Sequence, residues 1–333
     1  MKSIVLAILF ITPIFADCEW NGDGLLDILD IVSEVDCILS DCFDGSQCDW
    51  NEDGALDILD IVSTVTCVLD DCWWIPPPHD FAMLTIPAGE YTHGQDDEIL
   101  TIDYDFEIMQ YIVTNTQYAA YLAGALEAGF IMVSDESVQG FYDGDEYIEA
   151  GYQEYYDLDG DTFGYNVGKI SWDGSEFVVP EGYEDHPAGF VSYFGADAFA
   201  RFYGLRLPTE NEWEKAARGN TGWEFPWGEE IDGSYANYWQ SGYPDGAGTS
   251  PVGYYNGSNY NGFQTVDAVS PYGGYDMAGN AFQWVDDWYG DLERKIRGGG
   301  FSAGISHLRT WNNSSIRPDE AFGDVSLRVI NVP

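Results

Sequence analysis

The sequence predicts an α+β body of short strands, long ordered loops and a few helices, preceded by a small all-α pair of loop-and-helix repeats. Three observations predict it. A unit near the N-terminus recurs 30 residues later. The run Trp73-Trp74-Ile75-Pro76-Pro77-Pro78 then interrupts the chain, because prolines cannot continue a helix and favour an extended spacer. Beyond it the composition turns rich in Gly, Tyr and Trp, with convincing helix signals at only a few places. The segments are therefore read as residues 1–16, 17–72, 73–79 and 80–333.

Residues 1–16, MKSIVLAILFITPIFA, read as a secretory signal: Lys2, an apolar stretch from Ile4 to Phe15, and the small Ala16 before the cut. The stretch is too short to span a bilayer, and no later one is longer. The mature chain is expected to start near Asp17 and to be secreted. All six cysteines fall between residues 17 and 72: Cys18, Cys37, Cys42, Cys48, Cys67 and Cys72. In a small exported segment they imply disulfides, whose pairing the sequence leaves open.

The cysteines follow the duplication. CEWNGDGLLDILDIVSEVDCIL recurs as CDWNEDGALDILDIVSTVTCVL. Each copy places oxygen donors at loop positions 1, 3, 5, 9 and 12: Glu19, Asn21, Asp23, Asp27 and Asp30, then Asp49, Asn51, Asp53, Asp57 and Asp60. Leu25 and Ala55 offer backbone carbonyls at position 7, after the turn glycines Gly24 and Gly54. This spacing wraps a hard cation that takes six to eight oxygens, and calcium is the expected ion. Without one, the converging carboxylates would repel one another. Each loop runs into an amphipathic helix, marked by Ile28, Leu29, Ile31, Val32, Val35 and Ile38 and by their counterparts from Ile58 to Val68.

The whole chain of 333 residues carries Asp plus Glu 58 against Lys plus Arg 12, a net charge of −46, and has no Lys or Arg between Ser3 and Gly168. Such a surface repels nucleic acid and anionic lipid and favours bound cations. In the large segment, helices are expected at Thr114 to Leu126, at Phe194 to Tyr203 after Ser192, and from Pro208-Thr209-Glu210 through Ala217. Asp157-Leu-Asp-Gly-Asp161 lacks the glycine and the twelfth-position carboxylate of a cation loop and reads as a solvated turn.

Residues 17–72 resemble a type I dockerin, the EF-hand-like module that docks onto cohesin domains, which implies a cohesin-like partner. Three cysteines per repeat are unusual for dockerins. Loop positions 10 and 11 are the apolar pairs Ile28–Leu29 and Ile58–Leu59, which serve either as a docking face or to pack the repeats. The large segment carries RLPTENEWEKAARG (206–219), PWG (226–228), ANYWQ (236–240), YDMAGNAFQWVDDWYG (275–290) and IRGGGF (296–301) in that order. These resemble the formylglycine-generating enzyme, or sulfatase-modifying factor, family. The resemblance implies an irregular C-type-lectin-like fold. It also implies a copper(I) ion on two cysteines, which would fall on Ala303 and Leu308 here. No cysteine follows Cys72, so no copper and no cysteine oxidation are expected.

The resemblance further implies structural calcium at Asn237 and the Tyr238 carbonyl, and at Asp276, the Gly279 and Ala281 carbonyls and Gln283. Gln283 stands where the family has Glu. His307, Arg309, Trp311 and Asn312 form a stacking and hydrogen-bonding set, read either as a peptide or glycan site or as completing the core. The expected protein is a secreted calcium binder with an anchoring module and a non-oxidase binding domain. The alternative is an enzyme that uses a copper-independent chemistry in the same pocket.

Overall fold

The computed structural model describes residues 77–332. The segment read as a secretory signal, the duplicated loops with all their candidate ligand positions and the six cysteines lie outside the described residues. Residues 78–333 form one compact unit.

The first strands are short and rich in apolar and β-branched residues. β1 (Met83–Ile86) and β4 (Phe106–Met109) pair antiparallel, with Leu84 opposite Ile108. The last strand, β16 (Ile330–Asn331), pairs with the other edge of β4, placing Ile330 opposite Ile108. Between β1 and β4 lies the hairpin of β2 (Gly89–His93) and β3 (Glu98–Ile102). Ile86, Tyr91, Phe106, Ile108 and Ile330 bury their side chains against Trp213, Met277 and Val285. Each such side chain contributes about 1.5–3 kcal/mol by leaving water.

The three expected helices are present. α1 (Asn115–Glu127) starts at Thr114, which closes a reciprocal cap with Gln117. α2 (Tyr193–Phe202) is capped by the Ser192 hydroxyl. α1 and α2 meet through Tyr118, Tyr121, Phe199 and Phe202, with ring centroids 5.2–5.7 Å apart. The contact needs Gly124, because a Cβ there would lie 2.9 Å from the Phe202 ring.

α3 (Glu210–Arg218) has a Thr209–Glu212 capping box. Its sequence, ENEWEKAAR, is that of a solvent-facing helix, yet Glu210, Glu212, Glu214, Lys215 and Arg218 are all buried. Charges are tolerated there because each meets a partner: Arg206 binds Glu212, Arg218 binds Glu214 and Asp97, and Lys215 donates to the Gly89 carbonyl.

Sheet dominates the rest. β5 (Ile131–Val133), β6 (Ser137–Tyr142) and β7 (Gly151–Asp157) form an antiparallel meander. Two short hairpins come next, β8 (Ser171–Trp172) with β9 (Phe177–Val178) and β10 (Asn259–Tyr260) with β11 (Phe263–Gln264). The last sheet holds β12 (Phe282–Tyr289), β13 (Glu293–Arg297), β14 (Ser314–Ile316) and β15 (Val325–Ser326), in the order β14-β13-β12-β15. The architecture is α+β, mostly sheet. The acidic turn after β7 is closed by the Asp157 carboxylate, which accepts the Asp159 and Gly160 amides.

Candidate functional site

The site is built on the segment that leaves β13. Gly298 and Gly299 adopt φ of 91° and 73°, turning the chain out of the sheet. A Cβ on Gly298 would press on Trp213 and Gln283, and one on Gly299 on Leu308 and the His307 backbone. Residues 301–313 then pass through a single 3-10 turn, Ile305–Leu308, before β14 (Ser314–Ile316) pairs with β13.

Arg297 fixes the base of this segment. Fully buried, it binds Glu210 at 2.5 Å and Glu214 at 2.9 Å, and donates to the Asn313 side chain and the Thr310 carbonyl. Burial alone would raise the Glu214 carboxyl. The close approach of His93 Nδ1 (3.3 Å), the Arg297 charge and the Gly94 amide overcome that and hold it down to about 2. His93 is raised in turn, chiefly by its pairing with Glu214.

The four ligand candidates are placed on the surface of this segment. His307 is exposed and pairs through Nδ1 with the Ser314 hydroxyl at 3.0 Å. Arg309 is half-buried, binds Glu224 at 3.1 Å and lies 5.4 Å from the Trp311 ring. Trp311 and Asn312 are half-buried, and Asn312 accepts from the Ser314 hydroxyl. Ser302 and Phe163 carry no sequence signal of their own, whereas Trp239 lies in the ANYWQ motif. Ser302 is exposed and donates to Asp324, whose carboxyl burial pushes up. Trp239, 51% exposed, donates its backbone amide to the Ala303 carbonyl. Phe163, 77% exposed, holds a left-handed φ of 52° two residues before Tyr165, which packs on Phe301. The strained aromatic is the one detectable signal, and only in the backbone.

Ala303 and Leu308 are buried in an apolar cluster with Phe225, Ala236 and Ala278. No soft donor is among them, so these residues do not fit a copper(I) ion.

The calcium positions implied by resemblance are brought close together. Asn280 donates its amide to the Asn237 carbonyl, and its side chain lies 3.5 Å from Asp276. Asp276 is buried and accepts the Gly253 amide at 2.6 Å; burial raises its carboxyl to about 6. The Tyr238 carbonyl accepts from Ser241 and that of Gly279 from Ala281. Gln283 does not fit a cation. Its Oε1 accepts from Trp213 at 2.8 Å and from Arg328 at 2.6 Å, which uses both lone pairs, while Nε2 donates to the Asp276 carbonyl. Among the described residues no group of three or more His, Cys, Asp or Glu converges on one point. No helix there is long and apolar enough to cross a membrane.

Comparison with known proteins agrees with the architecture. The serine/threonine-protein kinase pkn1 of Chlamydia caviae is 41% identical over 123 residues, which cover 37% of this chain and 17% of that protein. The formylglycine-generating enzyme of Thermomonospora curvata is 31% identical over 238 residues, covering 62% of this chain and 72% of that one. The chain spans between 17% and 29% of the length of the first curated relatives it matches. The solved structure of Treponema denticola variable protein 1 superposes with a TM-score of 0.50 at 17% identity, over 78% of this chain and 98% of that one, a likeness of fold. Residues 78–332 match the sulfatase-modifying factor enzyme 1-like domain, and the chain belongs to that family.

Proposed function

We propose that this is an exported, calcium-loaded anchoring protein whose family domain binds a ligand instead of oxidising cysteine. The observation that carries the reading is chemical. Oxidation of a thiol by oxygen at a copper site needs thiolate ligands, and residues 73–333 contain no cysteine. The apolar burial of Ala303 and Leu308 supports the same view. The accessible side chains of His307, Arg309, Trp311 and Asn312 support a binding role, for a peptide or glycan that stacks and accepts hydrogen bonds. The duplicated oxygen-donor loops support calcium in the anchoring module and a cohesin-like partner.

The deciding experiment incubates the full chain with copper and a sulfatase-type CxPxR peptide and follows the cysteine by mass spectrometry. The thiol is expected to persist; conversion to the aldehyde refutes the reading.

A further inference from the structure

The β6–β7 hairpin lies away from residues 301–316 in the chain and carries aromatic rings that the fold does not cover. Phe141 and Tyr152 are directly opposed in register, 53% and 62% exposed, with ring centroids 5.7 Å apart. The connecting loop 143–150 adds Tyr147, 45% exposed, whose ring meets Trp288 of β12 at 4.9 Å. This loop is pinned. Asp145 and Asp286 bind the buried Arg294, whose guanidinium lies 4.1 Å from the ring centroids of both Trp288 and Tyr193. The rings are thus held on a fixed frame, which lowers the entropy lost when they bind.

Charge selects the occupant. Residues 77–332 hold 42 Asp and Glu against 11 Lys and Arg. Each of those bases is bonded to a carboxylate or a carbonyl within the domain. A cationic ligand therefore meets no unpaired base on this surface, whereas an anionic one finds no partner. Beside the rings, Glu146 and Glu149 are exposed and make no hydrogen bond or ion pair, while Asp143 holds Arg201. Exposed aromatic faces next to unpaired carboxylates suit guanidinium and ammonium groups on apolar stems.

We propose that the β6–β7 hairpin and its 143–150 loop are a docking face for an arginine- or lysine-bearing segment of a partner polypeptide. Phe141, Tyr147 and Tyr152 receive its stems and planar cations, and Glu146 and Glu149 neutralise its charge. The proposal stands independently of the ligand set at residues 301–316.

The test titrates the full chain with a synthetic peptide of alternating arginine and leucine. A glutamate–leucine peptide and a neutral xylo-oligosaccharide serve as comparisons, and backbone hydrogen exchange locates the contact. Phe141→Ser with Tyr152→Ser, and separately Glu146→Gln with Glu149→Gln, are each expected to weaken arginine-peptide binding at least about tenfold. Glu98→Gln with Asp103→Asn, which removes the same charge from the β2–β3 hairpin, is expected to change it less than about twofold. An equal loss in that variant would reduce the effect to diffuse attraction and overturn the proposal. So would undiminished binding by the serine variant, or binding of the oligosaccharide without the arginine peptide. All substituted side chains are exposed, and matching melting curves confirm that the variants are folded.

Discussion

Replacing Arg297 with Met removes the cation that ties α3 to the segment carrying the candidate site. The arginine is fully buried between Glu210 and Glu214. Methionine fills much of its volume but leaves two carboxylates with one fewer base. Glu214 is 1% exposed, so its field is little screened, and its carboxyl is held at about 2 against the ordinary 4.5. At 1.4 kcal/mol per pH unit, the whole depression, which His93, Arg297 and the Gly94 amide produce together, corresponds to about 3 kcal/mol of stability, of which Arg297 supplies a part. Lys295 still serves Glu210, and Arg218 and His93 still serve Glu214, so the loss is expected at the low end of a broken buried pair, about 3 kcal/mol. For a domain of this size it lowers the melting temperature by roughly 6–12 °C. The sign with pH follows from the depressed carboxyl. Its contribution is present above about 4.5 and disappears as pH falls towards 2, so the parent should outlast the variant most clearly near neutrality and converge with it in strong acid. Calorimetry from pH 2 to pH 7 measures both. A melting temperature within about 2 °C of the parent at pH 7 would refute the reasoning.

Four further outcomes are expected. His93, raised by Glu214, should titrate above the ordinary 6.5 in a proton-resolved NMR titration, and its share of stability should be present below 6.5 and fade as pH rises through its folded value; a titration at or below 6.5 would contradict the pair. Leu308→Ala should cost about 2–5 kcal/mol by denaturant unfolding, because the side chain is fully buried among apolar neighbours; a change below about 1 kcal/mol would place it outside the packed cluster. The melting temperature of the full chain should rise with sodium chloride, since the surplus charge is carboxylate and salt screens its self-repulsion; a falling melt would mean that internal ion pairs govern the response. EGTA should increase protease cleavage within residues 17–72, and an unchanged digestion pattern would remove calcium from the reading of the repeats.

The parts of the fold legible in the sequence are local. Thr114, Ser192 and Thr209 announce their helices because a cap is written within four residues, and each helix begins directly after its cap. The burial of α3 is not legible, since its neutralising partners Arg297 and Asp97 arrive from other segments. The same holds at the site. His307, Arg309, Trp311 and Asn312 are contiguous and can be named together, whereas the Ser302–Asp324 contact joins residues that only packing brings near. Gln283 misleads for the opposite reason. Its place in a motif suggests an ion, but two donors, Trp213 of α3 and Arg328 between β15 and β16, claim its oxygen.

The three-stranded sheet sets an order of events during synthesis. β4 takes one neighbour from residue 83 onward and the other from residues 330 and 331, and Arg206 also pairs with Ile330. The middle strand thus keeps one bare edge until residues 330 and 331 have been synthesised. A nascent chain stalled before Val329 would leave that edge open to other nascent chains.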